Sequence, residues 1–243
     1  MKKQAIVWIL AVFTLISFSG CDPDTNIWGS INGSGNLVNV EYSFDDFEKI
    51  EASHAIQVTI LPSDTFYVLL RVDDNIVKYL DVYKSGDWLI LSLEDNKNYN
   101  HVHLEAEIHL PKVTALEVSG ASVVEMAGFN SNEDFLLDLS GASVFSGNID
   151  AEDCDIELSG ASVVNMNGSC DQMDIIASGA SVLSMGNFIC HTANVNLSGA
   201  SDATIHVTDF LSAVLSGASI LRYYGDPEIG ALNTSGASSI IKL

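Results

Sequence analysis

Positive charge is the scarcest property of this chain. Of 243 residues only 10 are Lys or Arg, against 32 Asp or Glu, for a formal charge of −22. Such a surface repels nucleic acid and anionic lipid headgroups, so no nucleic-acid partner is expected. Between Lys112 and Arg222 there is no Lys or Arg. The last of the three tryptophans is Trp88, so the C-terminal half also lacks that sugar-stacking side chain. The apolar run over residues 5–18 is too short for a comfortable membrane span, and no other stretch is long and apolar enough to cross a bilayer. No Asp-x-Asp-x-Asp-Gly calcium loop occurs either.

One tetrapeptide is abundant. Ser-Gly-Ala-Ser begins at Ser119, Ser140, Ser159, Ser178, Ser198, Ser216 and Ser235, with spacings of 21, 19, 19, 20, 18 and 19 residues. A period near twenty is too short for paired helices and suits one coil of a parallel β-solenoid, where stacked coils bury a continuous interior. Apolar residues sit one, three and five places before the five corners from Ser140 to Ser216, as in Phe135, Leu137 and Leu139, and alternate with polar ones such as Asp138. Period-two alternation marks a strand with one buried face. A second set follows the corners: Val124 and Met126, Val164 and Met166, Leu183 and Met185. Each coil is therefore expected to hold two strands about a corner. There Gly supplies special backbone angles, the small Ala points inward, and both Ser form hydroxyl ladders.

These coils, with Gly33-Ser34-Gly35-Asn36 and Phe47-Glu48-Lys49-Ile50-Glu51-Ala52-Ser53 before them, resemble the head GIN domain family of adhesin heads. The resemblance runs from about residue 30 to the C-terminus. It implies an all-β parallel β-helix, or solenoid, in a bacterial envelope protein, and implies no catalytic or binding residues. One departure stands out: Ser53-His54-Ala55-Ile56 replaces an early Ser-Gly-Ala corner.

At the N-terminus, Lys2 and Lys3 precede the apolar run, and Phe18-Ser19-Gly20-Cys21 follows. This is a secretory signal over residues 1–20 with a lipobox-like junction, making Cys21 the lipidated residue and the membrane a partner through that anchor. Residues 21–35 read as a tether. Residues 36–111 carry strand signals at 37–42, 56–61, 66–72, 88–93 and 102–110, with one helical turn at 74–80. They are expected to form a β-rich part capping the solenoid of residues 112–243, since an open first coil would expose strand edges.

Four constellations bear on chemistry. His101, His103 and Glu105, continuing through Glu107 and His109, alternate on one strand face and are candidate ligands for a zinc-like cation. Asp150, Glu152, Asp153 and Asp155 form a candidate calcium loop. Glu117, Asp138 and Glu157 are expected to stack as outward carboxylates, the raw material of a glycosidase pair. A catalytic pair also needs distinct environments and sugar-binding partners, so a polysaccharide-acting enzyme is the disfavoured reading. The repeated Ser have no recurring His beside them and read as structural, not nucleophilic. Finally, Cys154 falls at an inward position, and Cys170 and Cys190 each lie eight residues before a corner. Those two are expected to face each other, as a disulfide or as free thiols. No cofactor beyond a divalent cation is expected.

The reading is a non-enzymatic, lipid-anchored envelope protein, outer-membrane and surface-facing, whose solenoid flank meets a glycan or surface protein. A periplasm-facing scaffold is the alternative. The chain closes at Ser239-Ile240-Ile241-Lys242-Leu243 with no evident cap, which makes the C-terminal solenoid end a candidate for pairing between copies.

Overall fold

A computed structural model describes residues 29–131 and 133–243. The signal segment, Cys21 and the first part of the tether lie outside the described residues. Strands dominate the described residues, which hold one 3₁₀ turn, at Val77–Tyr79 inside the expected helical turn. No helix among the described residues is long and apolar enough to cross a membrane.

Two parallel columns of strands make the solenoid. In the first, Lys49–Ala52, Ala115–Val118, Phe135–Leu139 and Asp153–Leu158 stack in order. The later halves of the long strands Val163–Ala177, Val182–Leu197 and Asp202–Leu215 continue it, and Glu228–Thr234 completes it. The second column runs from Gln57–Pro62 through Val123–Asn130 and Val144–Asp150 to Ile220–Tyr224 and Ser239–Lys242. Between the columns lie the inward residues that the alternation marks, from Phe135, Leu137 and Leu139 to Leu211, Ala213 and Leu215, all buried.

Coil order departs from chain order. Trp88–Leu93 pairs in parallel with Lys49–Ala52, and Leu104–Leu110 with Gln57–Pro62. The coil of residues 49–62 is thus sandwiched between a later coil, 88–110, and the coil beginning at residue 115. Parallel stacking therefore already runs through part of residues 36–111. Beyond it, Leu80–Ser85 and Tyr67–Asp73 pair antiparallel onto residues 88–110, and Leu37–Tyr42 pairs onto Tyr67–Asp73. These antiparallel strands cover the N-terminal edge of the stack, where open amides and carbonyls would otherwise invite another chain.

At the corners, the glycines of all seven tetrapeptides have φ between 66° and 75°, in the left-handed region. The inward residue, however, is the last Ser, not Ala. Ala121, Ala142 and Ala161 are exposed, whereas Ser122, Ser143, Ser162, Ser181, Ser201 and Ser219 are buried. The reason is local satisfaction of polar groups. Each of these hydroxyls donates to the carbonyl of the first Ser in its own corner, as from Ser122 to Ser119 at 2.7 Å and from Ser181 to Ser178 at 2.9 Å. A short polar side chain can be buried there because the turn supplies its acceptor. Only the first Ser of each corner is left to form an outward ladder, half-buried at most positions and exposed at Ser159 and Ser235.

The departing corner folds without glycine. His54 and Ala55 both take positive φ, 66° and 58°, and so do Gly120 and Ala121 beside them. Ala55 donates its amide to the Gly120 carbonyl at 3.0 Å. In later corners the bond runs the other way along the stack, as from Ala161 to Gly141 at 2.8 Å.

Candidate recognition face

Because column-one strands stack in register, residues two places before each corner form a straight outward file. Glu51 pairs with Glu117, Glu117 with Asp138, and Asp138 with Glu157. The expected trio is therefore a quartet. Glu51 precedes Ser53 by the same two places, so its membership is signalled once that corner is recognised. Beyond Glu157 the file turns neutral, with Ile176, Asn196 and Val214. The neighbouring file, four places before each corner, runs from Leu136 through Asp155, Asp174 and Asn194 to Ser212.

Together the two files line an open hollow of about 540 Å³. Asp155, Glu157 and Asp174 line it together with Ile176 and Val214, which are 51% and 50% exposed, and Ile176 is the register partner of Glu157. Asn194 donates its amide to Asp174 at 2.8 Å. Burial, followed by the charges of Glu51 and Asp138, raises Glu117 above the usual carboxylate range. Burial and the charges of Asp174, Asp134 and Asp153 raise Asp155. Like charges on adjacent strands repel, so this face carries anionic charge that internal packing does not require.

The other candidates distribute differently. His101 sits in an exposed turn with φ of 48°, outside Leu104–Leu110. His103 pairs with Glu105 at 2.7 Å, and His109 with Glu107 at 2.8 Å. The acids of the proposed calcium loop turn to different neighbours: Asp150 accepts from Ser169 at 2.7 Å, and Asp153 from the Gln172 side chain at 3.0 Å. Asp155 belongs to the hollow. Among the described residues no three His, Cys, Asp or Glu converge as metal ligands.

Cys170 and Cys190 are register partners, as expected, with Sγ atoms 3.2 Å apart and both thiols free and buried. Cys154 and Cys190, with burial, push the Cys170 thiol far up. Such a thiol is inert.

Ser53 Oγ lies 3.0 Å from His54 Nδ1, and His54 Nε2 lies 3.7 Å from Asp95. The Leu93 amide also points at that Nδ1, and the Asp95 side chain is 86% exposed. A base shared with a backbone amide and unsupported by a close carboxylate is poorly set for nucleophilic catalysis.

Taken together, an all-β parallel solenoid and an outward acidic face define a class of proteins built around a stacked repeat. Residues 46–227 match the family described as "Putative auto-transporter adhesin, head GIN domain". The chain belongs to this family. Among solved structures, a protein described as a putative adhesin from Bacteroides fragilis is 20% identical, with a TM-score of 0.80 over 88% of this chain and 100% of that one. A second, from Parabacteroides merdae and described in the same words, is 19% identical, with a TM-score of 0.66 over 88% and 99%. A third, described as a putative lipid binding protein from Parabacteroides distasonis, is 19% identical, with a TM-score of 0.68 over 88% and 99%. These likenesses establish the shared fold. No curated protein matches the chain at a significant level.

Proposed function

We propose that this protein is a non-enzymatic adhesin of the bacterial envelope, anchored through lipidated Cys21, that recognises a glycan or protein on another surface through its column-one face. The observation that carries this reading is the in-register quartet Glu51, Glu117, Asp138 and Glu157, leading into the hollow beside Ile176 and Val214. Four stacked carboxylates oppose folding, while an apolar patch next to them gives a partner something to bury. A partner offering cations against the acids and apolar groups against the patch gains from both. Membership of a family described by adhesion supports the same reading.

The test is attachment of cells making the full chain to surfaces coated with extracellular proteins or glycans. A Glu157→Gln/Asp174→Asn/Val214→Asp variant, displayed at equal level, should attach poorly. Attachment equal to the unmodified chain would refute recognition by this face.

A second reading concerns association between copies. Strands Glu228–Thr234 and Ser239–Lys242 each pair on one side only among the described residues. They leave Ile229, Leu232, Ile241 and Leu243 between 36% and 51% exposed. A second copy meeting this edge would pair the open strands and cover those side chains. Sedimentation should show a dimer that an Ile229→Lys/Ile241→Lys variant abolishes. A strict monomer at high concentration would remove this reading.

A further inference from the structure

The second column carries a recess of a different character. The 178–198 repeat has 20 residues and the next, from 198 to 216, has 18. The structure absorbs such changes of coil length as irregularities of pairing between neighbouring strands. Pairing shifts between Asn165 and Gly168, where a 19-residue repeat meets the 20-residue one, and on the next strand pair between Ser184 and Ile189 and between Cys190 and Thr192. Successive bulges bend strands and re-aim side chains, and here they open a recess of about 580 Å³. Its walls are Asn167, Ser184, Asn187, Thr204, His206 and Tyr224, with Gly186 between them.

Three features of this recess are chemically distinctive. First, no Asp or Glu lines it, although the chain has 32 of them. Second, Tyr224 is 42% exposed and rests over Gly186, where an added Cβ would lie 3.1 Å from its ring. The missing side chain lets the aromatic ring lie close to the backbone, with the His206 ring centroid 6.0 Å away. Third, the polar side chains of the recess make no hydrogen bonds to one another or to other described residues. Elsewhere the stacked outward residues satisfy each other, as Asn194 does with Asp174 and Gln172 with Asp153.

A neutral aromatic platform ringed by unpaired amides and hydroxyls has a matching ligand class. Tyrosine offers an apolar face with a polar tip. Asn presents both donor and acceptor, as vicinal sugar hydroxyls do. The recess volume also falls within the range of small-ligand sites. We propose that this recess is a binding subsite for a neutral pyranose, whose C–H face stacks on Tyr224 while Asn167 and Asn187 bond its hydroxyls. Acidic sugars are disfavoured by the charge of the chain as a whole. This deepens the adhesin reading by naming a ligand class and a second face.

The experiment is saturation-transfer NMR on the full chain with methyl β-galactoside, methyl β-glucoside and N-acetylglucosamine, followed by titration. At least one should bind, with transfer strongest at its ring C–H protons. Tyr224→Ala should weaken binding about tenfold, in line with loss of an aromatic contact. Tyr224→Phe should retain it, and Asn187→Ala should weaken it; thermal unfolding of each variant confirms that it is folded. Binding of none of the three sugars, or binding indifferent to folded Tyr224→Ala, overturns the subsite. Cell attachment separates the two ideas: if it depends on the column-one face while no sugar binds, the adhesin reading stands and the subsite falls.

Discussion

A Cβ placed on Gly179 would lie 2.2 Å from the carbonyl oxygen of Gly160, the glycine of the preceding corner. The same approach recurs from Gly160 to Gly141 at 2.3 Å and from Gly199 to Gly179 at 2.4 Å. Two independent demands therefore meet at one residue type: a left-handed backbone and a surface bare enough for coils to stack.

Gly179→Ala should destabilise the fold by about 2–4 kcal/mol, since an L-residue in the left-handed region and a backbone clash both oppose it. Ala180→Ser, at the next and exposed position, should change stability by less than about 0.5 kcal/mol. Chemical denaturation of the two variants side by side measures the contrast.

Ser181→Ala deletes a buried hydroxyl that donates to Ser178 at 2.9 Å. The Ser178 carbonyl loses that donor, so a cost of about 1–2 kcal/mol is expected. Ser178→Ala removes only a long hydroxyl contact of 3.4 Å to the Leu158 carbonyl and should cost less. Equal losses in the two variants would contradict the assignment of separate roles to the two corner serines.

How far the architecture was legible follows from these corners. Repeats adjacent in sequence are adjacent in space, so the period disclosed the solenoid, its inward residues and the carboxylate file. Small size suggests burial of the corner Ala, whereas the decisive factor is that Ser carries a hydroxyl the turn can satisfy. The sandwiching of residues 49–62 left no local trace, because pairing with both residues 88–110 and residues 115–130 is a matter of edge availability. The hollow was half visible: its acids follow from spacing, but the exposure of Ile176 and Val214 depends on which outward residues lack a covering element. The recess at Tyr224 arises from small length changes whose bulges are not visible as a motif.

Asp155 and Glu117 are both raised, chiefly by burial and then by neighbouring carboxylates. The folded chain thus holds these protons to higher pH than the unfolded chain does. Stability from these two groups is highest below their ordinary values and falls as pH rises through the interval up to the folded value. The Lys49–Asp87 pair acts oppositely, since Lys49 lowers Asp87. The difference between Asp155→Asn and the unmodified chain isolates the effect. The variant should gain up to about 0.5 kcal/mol at neutral pH and lose that advantage in acid. Added salt should shrink the gain by screening the repulsion.

Cys154, Cys170 and Cys190 are each no more than 3% exposed. In the folded protein none should react with a thiol-directed reagent, and all three should react after denaturation without reductant. Two fewer reactive thiols under those conditions would indicate a Cys170–Cys190 bridge in place of the free pair.

The central claim is display on the cell surface through Cys21, and antibody labelling of intact against permeabilised cells tests it most directly. Cells making the full chain should label strongly while intact, and a Cys21→Ala variant should lose that surface signal. Labelling of the unmodified chain only after permeabilisation would contradict surface display and favour a scaffold facing the periplasm.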